Sequence, residues 1–505
     1  MTYFHHSPHD DRLEALTHPR DWRNPAPADR YNLVVIGAGT AGLVCAAGAA
    51  GLGAKVALVE RDHMGGDCLT AGCVPSKALI RSARAVHDAR SASLFGVDGA
   101  AHPTPDFTRI MERMRSIRAD LATHDGAERF HRLGVDVFFG TGRFTGPDTL
   151  DVGGTQLRFR RAAICTGARA AVPPISGLTE TGYLTNETVF SLVTLPRRLV
   201  VIGAGPIGCE LAQAFARFGS QVTIVEAAPQ ILPREDRDTA AAVRKSLERD
   251  GISMLLAAKI TGADRRGREK VLHLDHSGET YEVAAEEILV GVGRAPNVEE
   301  LNLGRAGIAV DPGRGIRVDD RLRTGNRRVF AAGDACSLFR FTHAADAMAR
   351  IVIANALFGA RQKVSDLMIP WCTYTDPEVA HVGMNEQDAA ARGIQLTTIT
   401  VPLSDVDRAV LDGEVDGFAR VHLQKGTDQI LGATLVARHA GEMIGELALA
   451  MTAKLGLSAI GRTIHPYPTQ AEAVKKLADA WNRSRLTPRI KGLLDIWLRW
   501  QRRLP

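Results

Sequence analysis

The residues of this chain best suited to chemistry are two cysteines five positions apart, Cys68 and Cys73, in the string GGDCLTAGCVPSKAL. If a helix begins in this segment, the two sulfurs fall on roughly one face about a turn apart, and a disulfide closes if the first turn adapts. The partial positive charge of a helix start lowers a thiol pKa and favours the reactive thiolate. The competing reading is a pair of buried structural thiols. Gly65 and Gly66 beside the pair, and a nucleotide-type motif just upstream, favour the redox reading.

That motif occurs twice. YNLVVIGAGTAGLVCAAGAAGLGAKVALVE ends at Glu60, and RRLVVIGAGPIGCELAQAFARFGSQVTIVE ends at Glu226. Each copy reads as a buried parallel strand, three glycines, a helix of small residues, and a second strand closing on an acid. Gly37 to Glu60 and Gly203 to Glu226 span the same distance, 23 residues. Gly37 permits the tight turn, Gly39 lets the backbone approach a pyrophosphate, and Gly42 lets helix and strand pack closely; Gly203, Gly205 and Gly208 repeat the set. The helix N-terminus meets the phosphates, and Glu60 or Glu226 is placed to accept from a ribose. Pro206 suits an early helical position, where a missing N–H costs little. Two such units imply two dinucleotides, with hydride moving from one to the other.

The surrounding elements follow. With 505 residues the chain is expected to hold about three domains. Its expected fold class is α/β: two Rossmann-like nucleotide-binding domains, then a C-terminal α+β domain, because strand-like FARVHLQ and ILGATLVA precede a helical stretch from Gly441. The divisions are an N-terminal arm over 1–30, an FAD-type domain over 31–180 and 298–368, an NAD(P)-type domain over 181–297, an interface domain over 369–483, and a basic amphipathic tail over 484–505. The arm shows no helical or strand period, and its His5, His6 and His9 read as a polar terminus rather than a weak metal site. No side-chain set is singled out as a metal site. In the tail, Ile490, Leu493, Leu494 and Trp497 recur at helical spacing beside Arg499, Arg502 and Arg503. Packing on the body is the preferred reading of that stripe, and weak contact with a membrane surface is the alternative. A net charge of +5 over this length does not argue for nucleic acid. Seven widely spaced cysteines, no apolar leader and no run long enough to span a bilayer predict a soluble cytoplasmic protein.

Taken together, these strings resemble the class I pyridine nucleotide-disulfide oxidoreductases. The likeness runs from about residue 31 to 480 and includes the CTG at Cys165–Gly167, GVGRAPN at Gly291–Asn297, AAGD at Ala331–Asp334, and a terminal PTQAE. The resemblance implies that the first repeat holds FAD, helped by Gly66, Asp67, Thr166 and Gly167, with Asp334 at the ribityl chain and Lys77, paired with Glu210, near the flavin. It implies that Cys73 faces the flavin and Cys68 exchanges with substrate. It implies that NAD(P)H lies on the second repeat with Gly293 and Arg294 nearby, and that the chain forms a homodimer. An acid at Glu226 favours NADH over NADPH, although Arg234 and Arg237 lie close along the chain.

Within the family the sequence is similar to the mercuric reductases, through LAQAFARFGS and HPYPTQAE. Tyr467 takes the place of the histidine that disulfide reductases use as acid and base, and a phenol titrating near 10 makes a poor base at neutral pH. His465 stands two residues too early, and Glu472 is the carboxylate expected to orient such a base. Asp67 stands where the family commonly has threonine. No cysteine follows Cys372 to match a C-terminal metal-receiving pair, and no cysteine-bearing metal domain precedes the first repeat. The expected activity is electron transfer from NAD(P)H through FAD and Cys68–Cys73 to a small-molecule or metal-ion acceptor, Hg(II) or a disulfide. Competing readings are dihydrolipoamide dehydrogenase, a membrane-surface NADH:quinone reductase, and a non-enzymatic flavin redox sensor.

Overall fold

Apolar runs such as LVVI, with no polar alternation, form strands buried on both faces. In the computed structural model, which describes residues 7–98 and 103–503, two compact units form. The first comprises Met1–Leu232 with Leu247–Leu367, the second Pro233–Ser246 with Met368–Pro505.

In the first unit, Tyr31–Ile36 lies parallel between Val56–Glu60 and Thr155–Ile164. Val135–Phe139 extends the sheet beyond Val56–Glu60, and Val329–Ala331 joins Thr155–Ile164, also in parallel. An alanine-rich pair of helices, Thr40–Gly51 and Thr342–Phe358, packs closely because its residues are small: a Cβ added at Gly48 would lie 2.7 Å from Ile353. A second parallel sheet runs in the order Ser253–Leu255, Gln221–Val225, Arg198–Ile202, Glu287–Val290. The helix Pro206–Phe218 packs against it, with Pro206 in its first turn as its missing N–H dictates. Each glycine repeat is therefore a strand, helix and parallel strand, as the sequence predicts.

The second unit is built on a five-stranded antiparallel sheet in the order Trp371–Thr373, Glu378–Gly383, Ile430–Ala437, Phe418–Gln424, Leu396–Pro402. Helices Ala440–Thr452 and Glu472–Ser484 bury Leu447, Val474, Leu477 and Trp481 against it. This is the α+β region expected from the sequence.

Two terminal segments differ from expectation. The stretch read as an arm without period contains the helix Pro8–Thr17, capped by the Ser7 side chain accepting from Asp10 N–H at 3.1 Å. Its inward contact is Leu13 plus a buried ion pair, Asp10 with Arg118 at 2.5 Å and Arg115 at 3.7 Å, so no apolar stripe marks it. His5 and His6 lie outside the described residues. At the other end the tail forms the helix Pro488–Gln501 but buries none of its residues, contrary to the expectation that it packs on the body. No described helix is long and apolar enough to cross a membrane.

Candidate active site

The first unit assembles most of the residues singled out from sequence. At Gly37 the backbone turns with φ +97°, and a Cβ there would lie 2.5 Å from the Cys165 carbonyl oxygen. A Cβ at Gly42 would lie 1.7 Å from the Gly37 oxygen, so only glycine lets the helix start press against the loop. The helix begins after Gly39, and its first N–H groups have no intrahelical partner. Backbone donors with no side chain before them suit a pyrophosphate. Glu60 accepts from Ala38 N–H at 2.6 Å and Asp62 N–H at 2.8 Å, one on each oxygen. Burial pushes its carboxyl above the usual range, and each oxygen keeps a further lone pair for a ribose hydroxyl.

The second repeat reproduces this geometry. A Cβ at Gly203 would lie 2.7 Å from Gly291 O, and one at Gly208 would lie 2.0 Å from Gly203 O. Glu226 accepts from Ala204 N–H at 2.6 Å and Ala228 N–H at 2.8 Å. Gly205 opens the helix Pro206–Phe218 with nothing within 4 Å of its would-be Cβ.

The cysteines sit on two helices rather than one. Cys68 lies in Gly66–Thr70, and Cys73 is the first residue of Cys73–Arg90, with a break at Ala71 and Gly72 between them. Both are free thiols in contact, Cys68 half-buried and Cys73 exposed. A hydrogen bond from the Cys68 thiol holds Cys73 below the ordinary thiol range, with Thr342 and Lys77 adding to the effect and the crowded surroundings and Glu210 opposing it. Cys68 is correspondingly pushed up, first by that same bond and then by burial. Lys77 Nζ pairs with Glu210 at 2.8 Å, joining the thiol helix to the helix of the second repeat.

Around them, Arg294 ties Asp67 at 2.5 Å to Asp334 at 3.3 Å. Asn186 donates to Asp67 at 3.3 Å and to the Ala71 carbonyl at 3.1 Å. Thr166 Oγ1 donates to the Asn297 carbonyl at 2.7 Å, Gly167 accepts from Asn297 N–H, and Asn297 donates to the Thr166 carbonyl at 3.0 Å. These bonds lock CTG to GVGRAPN beside the antiparallel pair Ala168–Ala170 and Arg294–Pro296, which follows Gly293. Burial raises the Asp334 carboxyl, opposed by Arg294.

Sequence reasoning missed Thr342, whose Oγ1 is 3.4 Å from both Cys68 Sγ and Cys73 Sγ. A hydroxyl opening a helical run in FTHAADAMA was the available signal, and it looked like an ordinary helix start. Asn186 and Arg340, which donates to the Arg294 carbonyl, were missed too, for they lie in loops without period.

Tyr467, His465 and Glu472 belong to the second unit, where their partners differ from expectation. Tyr467 is 70% exposed and donates to Asp407 at 2.8 Å, a bond that raises the phenol pKa further. His465 pairs with Glu446 at 3.0 Å, not with Glu472. Glu472 starts the helix Glu472–Ser484, where an acid suits the dipole, and lies 3.6 Å from Lys476. It orients neither ring by a hydrogen bond, because Asp407 and Glu446 take those places.

Two dinucleotide folds around a thiol pair define a flavin-type disulfide oxidoreductase. Residues 31–349 match the family described as pyridine nucleotide-disulphide oxidoreductase, and residues 369–478 match its dimerisation domain. The chain belongs to this family, whose cofactors are FAD and NAD(P)H. It is 33% identical to a mercuric reductase of Bacillus cereus over 88% of this chain and 70% of that protein. It is 35% identical to a dihydrolipoyl dehydrogenase of Thermus scotoductus over 89% of this chain and 97% of that protein. Among solved structures, the HOCl-induced flavoprotein disulfide reductase RclA from Escherichia coli matches with TM-score 0.79 and 30% identity, covering 89% of this chain and 99% of that one.

Proposed function

We propose that this protein oxidises NAD(P)H and passes two electrons through Cys68 and Cys73 to a soft, thiolate-bound cation such as Hg(II), or to a disulfide. FAD, when bound on the first repeat against Gly37–Gly42, Gly66 and Asp334, supplies the two-electron relay between nicotinamide and sulfur. Cys73 is held as the thiolate by Cys68, Thr342 and Lys77, while Cys68 keeps its proton and is the exchanging thiol. The observation that carries the choice of acceptor is Tyr467, tied to Asp407 and pushed away from basicity. A soft cation displaces the Cys68 proton on binding, whereas thiol–disulfide exchange needs a base to take it.

The match to the dimerisation domain supports a homodimer, and the two-unit division supports the boundaries drawn from sequence. Glu226 supports NADH as the preferred donor, since its free lone pairs suit a 2′-hydroxyl and repel a 2′-phosphate. The cytoplasm remains our expected location.

Steady-state assays of the purified holoenzyme against Hg(II) in excess thiol, lipoamide, glutathione disulfide and quinones test the reading. Hg(II)-dependent NADH oxidation with weak lipoamide turnover is expected. Robust lipoamide activity that survives His465→Ala contradicts it. The His465–Glu446 pair favours one second reading, dihydrolipoamide dehydrogenase, because a carboxylate-oriented imidazole is the base that reaction needs. Loss of strong lipoamide turnover in His465→Ala would select it.

A further inference from the structure

The helix Pro488–Gln501 begins as a stable helix does, with Pro488 in the first turn and the Thr487 hydroxyl accepting from Ile490 N–H at 3.4 Å. Yet Ile490, Leu493, Leu494, Ile496, Trp497 and Trp500 are each between 42% and 68% exposed. At 100° per residue these side chains share one broad arc, entered only by Arg489 and Gln501 at the two ends of the helix. Lys491, Asp495, Arg499, Arg502 and Arg503 fall on the opposite arc. From 488 to 503 five cations face one acid, Asp495, which pairs with Arg499 at 2.5 Å. Trp497 and Trp500 lie side by side on the apolar arc, ring centroids 5.0 Å apart. The family match ends at residue 478, so none of this belongs to the shared core.

A surface that covers this face must accept a ribbon of aliphatic and indole groups bounded by positive charge. A globular partner's core would bury the apolar arc but offers no general complement to cations on the opposite arc. An anionic phospholipid surface offers both: acyl chains for the leucines, the headgroup zone for two tryptophans, and phosphates for arginines reaching outward. Fourteen helical residues span about 21 Å, short of the ~30 Å hydrocarbon core, so the helix lies in the plane. We propose that this helix binds the protein peripherally to anionic membrane surfaces. The inference goes beyond the proposed redox activity and does not depend on it.

The test is flotation of the full-length FAD-loaded protein with phosphatidylcholine vesicles, with and without phosphatidylglycerol, while tryptophan emission is recorded. The expected result is binding to anionic vesicles that falls as salt rises, with a blue shift of emission. Replacing Arg499, Arg502 and Arg503 by Ser should lower partition about a hundredfold. Trp497→Ser with Trp500→Ser should abolish the blue shift, and in both variants NADH oxidation with a dye acceptor should stay unchanged, showing that the body folds. No binding to anionic vesicles, or binding equal on neutral ones and indifferent to salt, overturns the proposal. Equally, lipid-free association that the tryptophan variant dissolves would show that a second copy of the chain covers the face.

Discussion

The two glycine repeats are nearly superposable in their bonds and opposite in their surroundings. Beyond the matched glycine closures and carboxylate bonds, Gly65 N–H donates to Ala38 O at 2.9 Å in the first repeat, and Leu232 N–H donates to Ala204 O at 2.8 Å in the second. After that shared bond the chain does different things. In the first it continues into Gly66, whose would-be Cβ lies 2.6 Å from Gly39 Cα, and runs on as the helix of Cys68. In the second it passes at Pro233 into the other unit, leaving Gly205 open. A repeat thus encodes a local nucleotide cradle, and the segment that follows decides whether the cradle is built over, as befits a retained group, or left open to a ligand that comes and goes.

The largest effect expected concerns what is built over the first cradle. Cys73→Ser should lower turnover about a thousandfold or more, as loss of a nucleophile commonly does. It should also abolish the long-wavelength absorption that a thiolate gives beside bound flavin. Cys68→Ser should show that absorption without reductant, and identical spectra for the two variants would refute the assignment of roles. Next come the glycines. Gly66→Ala places a methyl against Gly39 at a left-handed φ of +59° and should cost roughly 1–3 kcal/mol, seen as a lower Tm and weaker FAD retention. Gly205→Ala should leave Tm unmoved and raise KM for NADH about tenfold, since a methyl then stands where the backbone approaches pyrophosphate. Equal losses of Tm would erase the distinction between cradles. A comparable effect is expected at Glu226→Ala, where kcat/KM for NADPH relative to NADH should rise about tenfold by removal of the repelling carboxylate.

The smallest effect concerns acidity. Cys73 titrates below the ordinary thiol range, so in the reduced holoenzyme its thiolate absorption persists at neutral pH and is lost as pH falls through that lowered pKa. Thr342→Val removes a donor that favours the thiolate, and the loss should then occur at higher pH, by roughly one unit. Thr342→Ser should restore the original midpoint. A midpoint unchanged in Thr342→Val would reduce Thr342 to a packing residue.

Much of this was legible in the chain. The glycine spacing and the apolar strands fixed both cradles, because their constraints are local and steric. The Lys77–Glu210 pair followed from the resemblance and is seen at 2.8 Å. What was not legible depends on distant residues: Thr342 meets sulfurs more than 260 positions away, and Glu446 rather than Glu472 takes His465. The N-terminal helix escaped because it is held by charge, and periodicity analysis sees only apolar stripes.

That N-terminal helix bears on how the protein is made. Arg118 pairs with Asp10, 108 residues earlier, and with its other nitrogen donates to the Thr70 carbonyl at 2.7 Å, at the end of the Cys68 helix. During synthesis the helix emerges first and waits for its partner, since a loop of that length closes at little more entropic cost than a shorter one. The support beneath Cys68 is completed only after residue 118 has left the ribosome, so the thiol pair acquires its final environment late, when much of the first unit is already available to shield it.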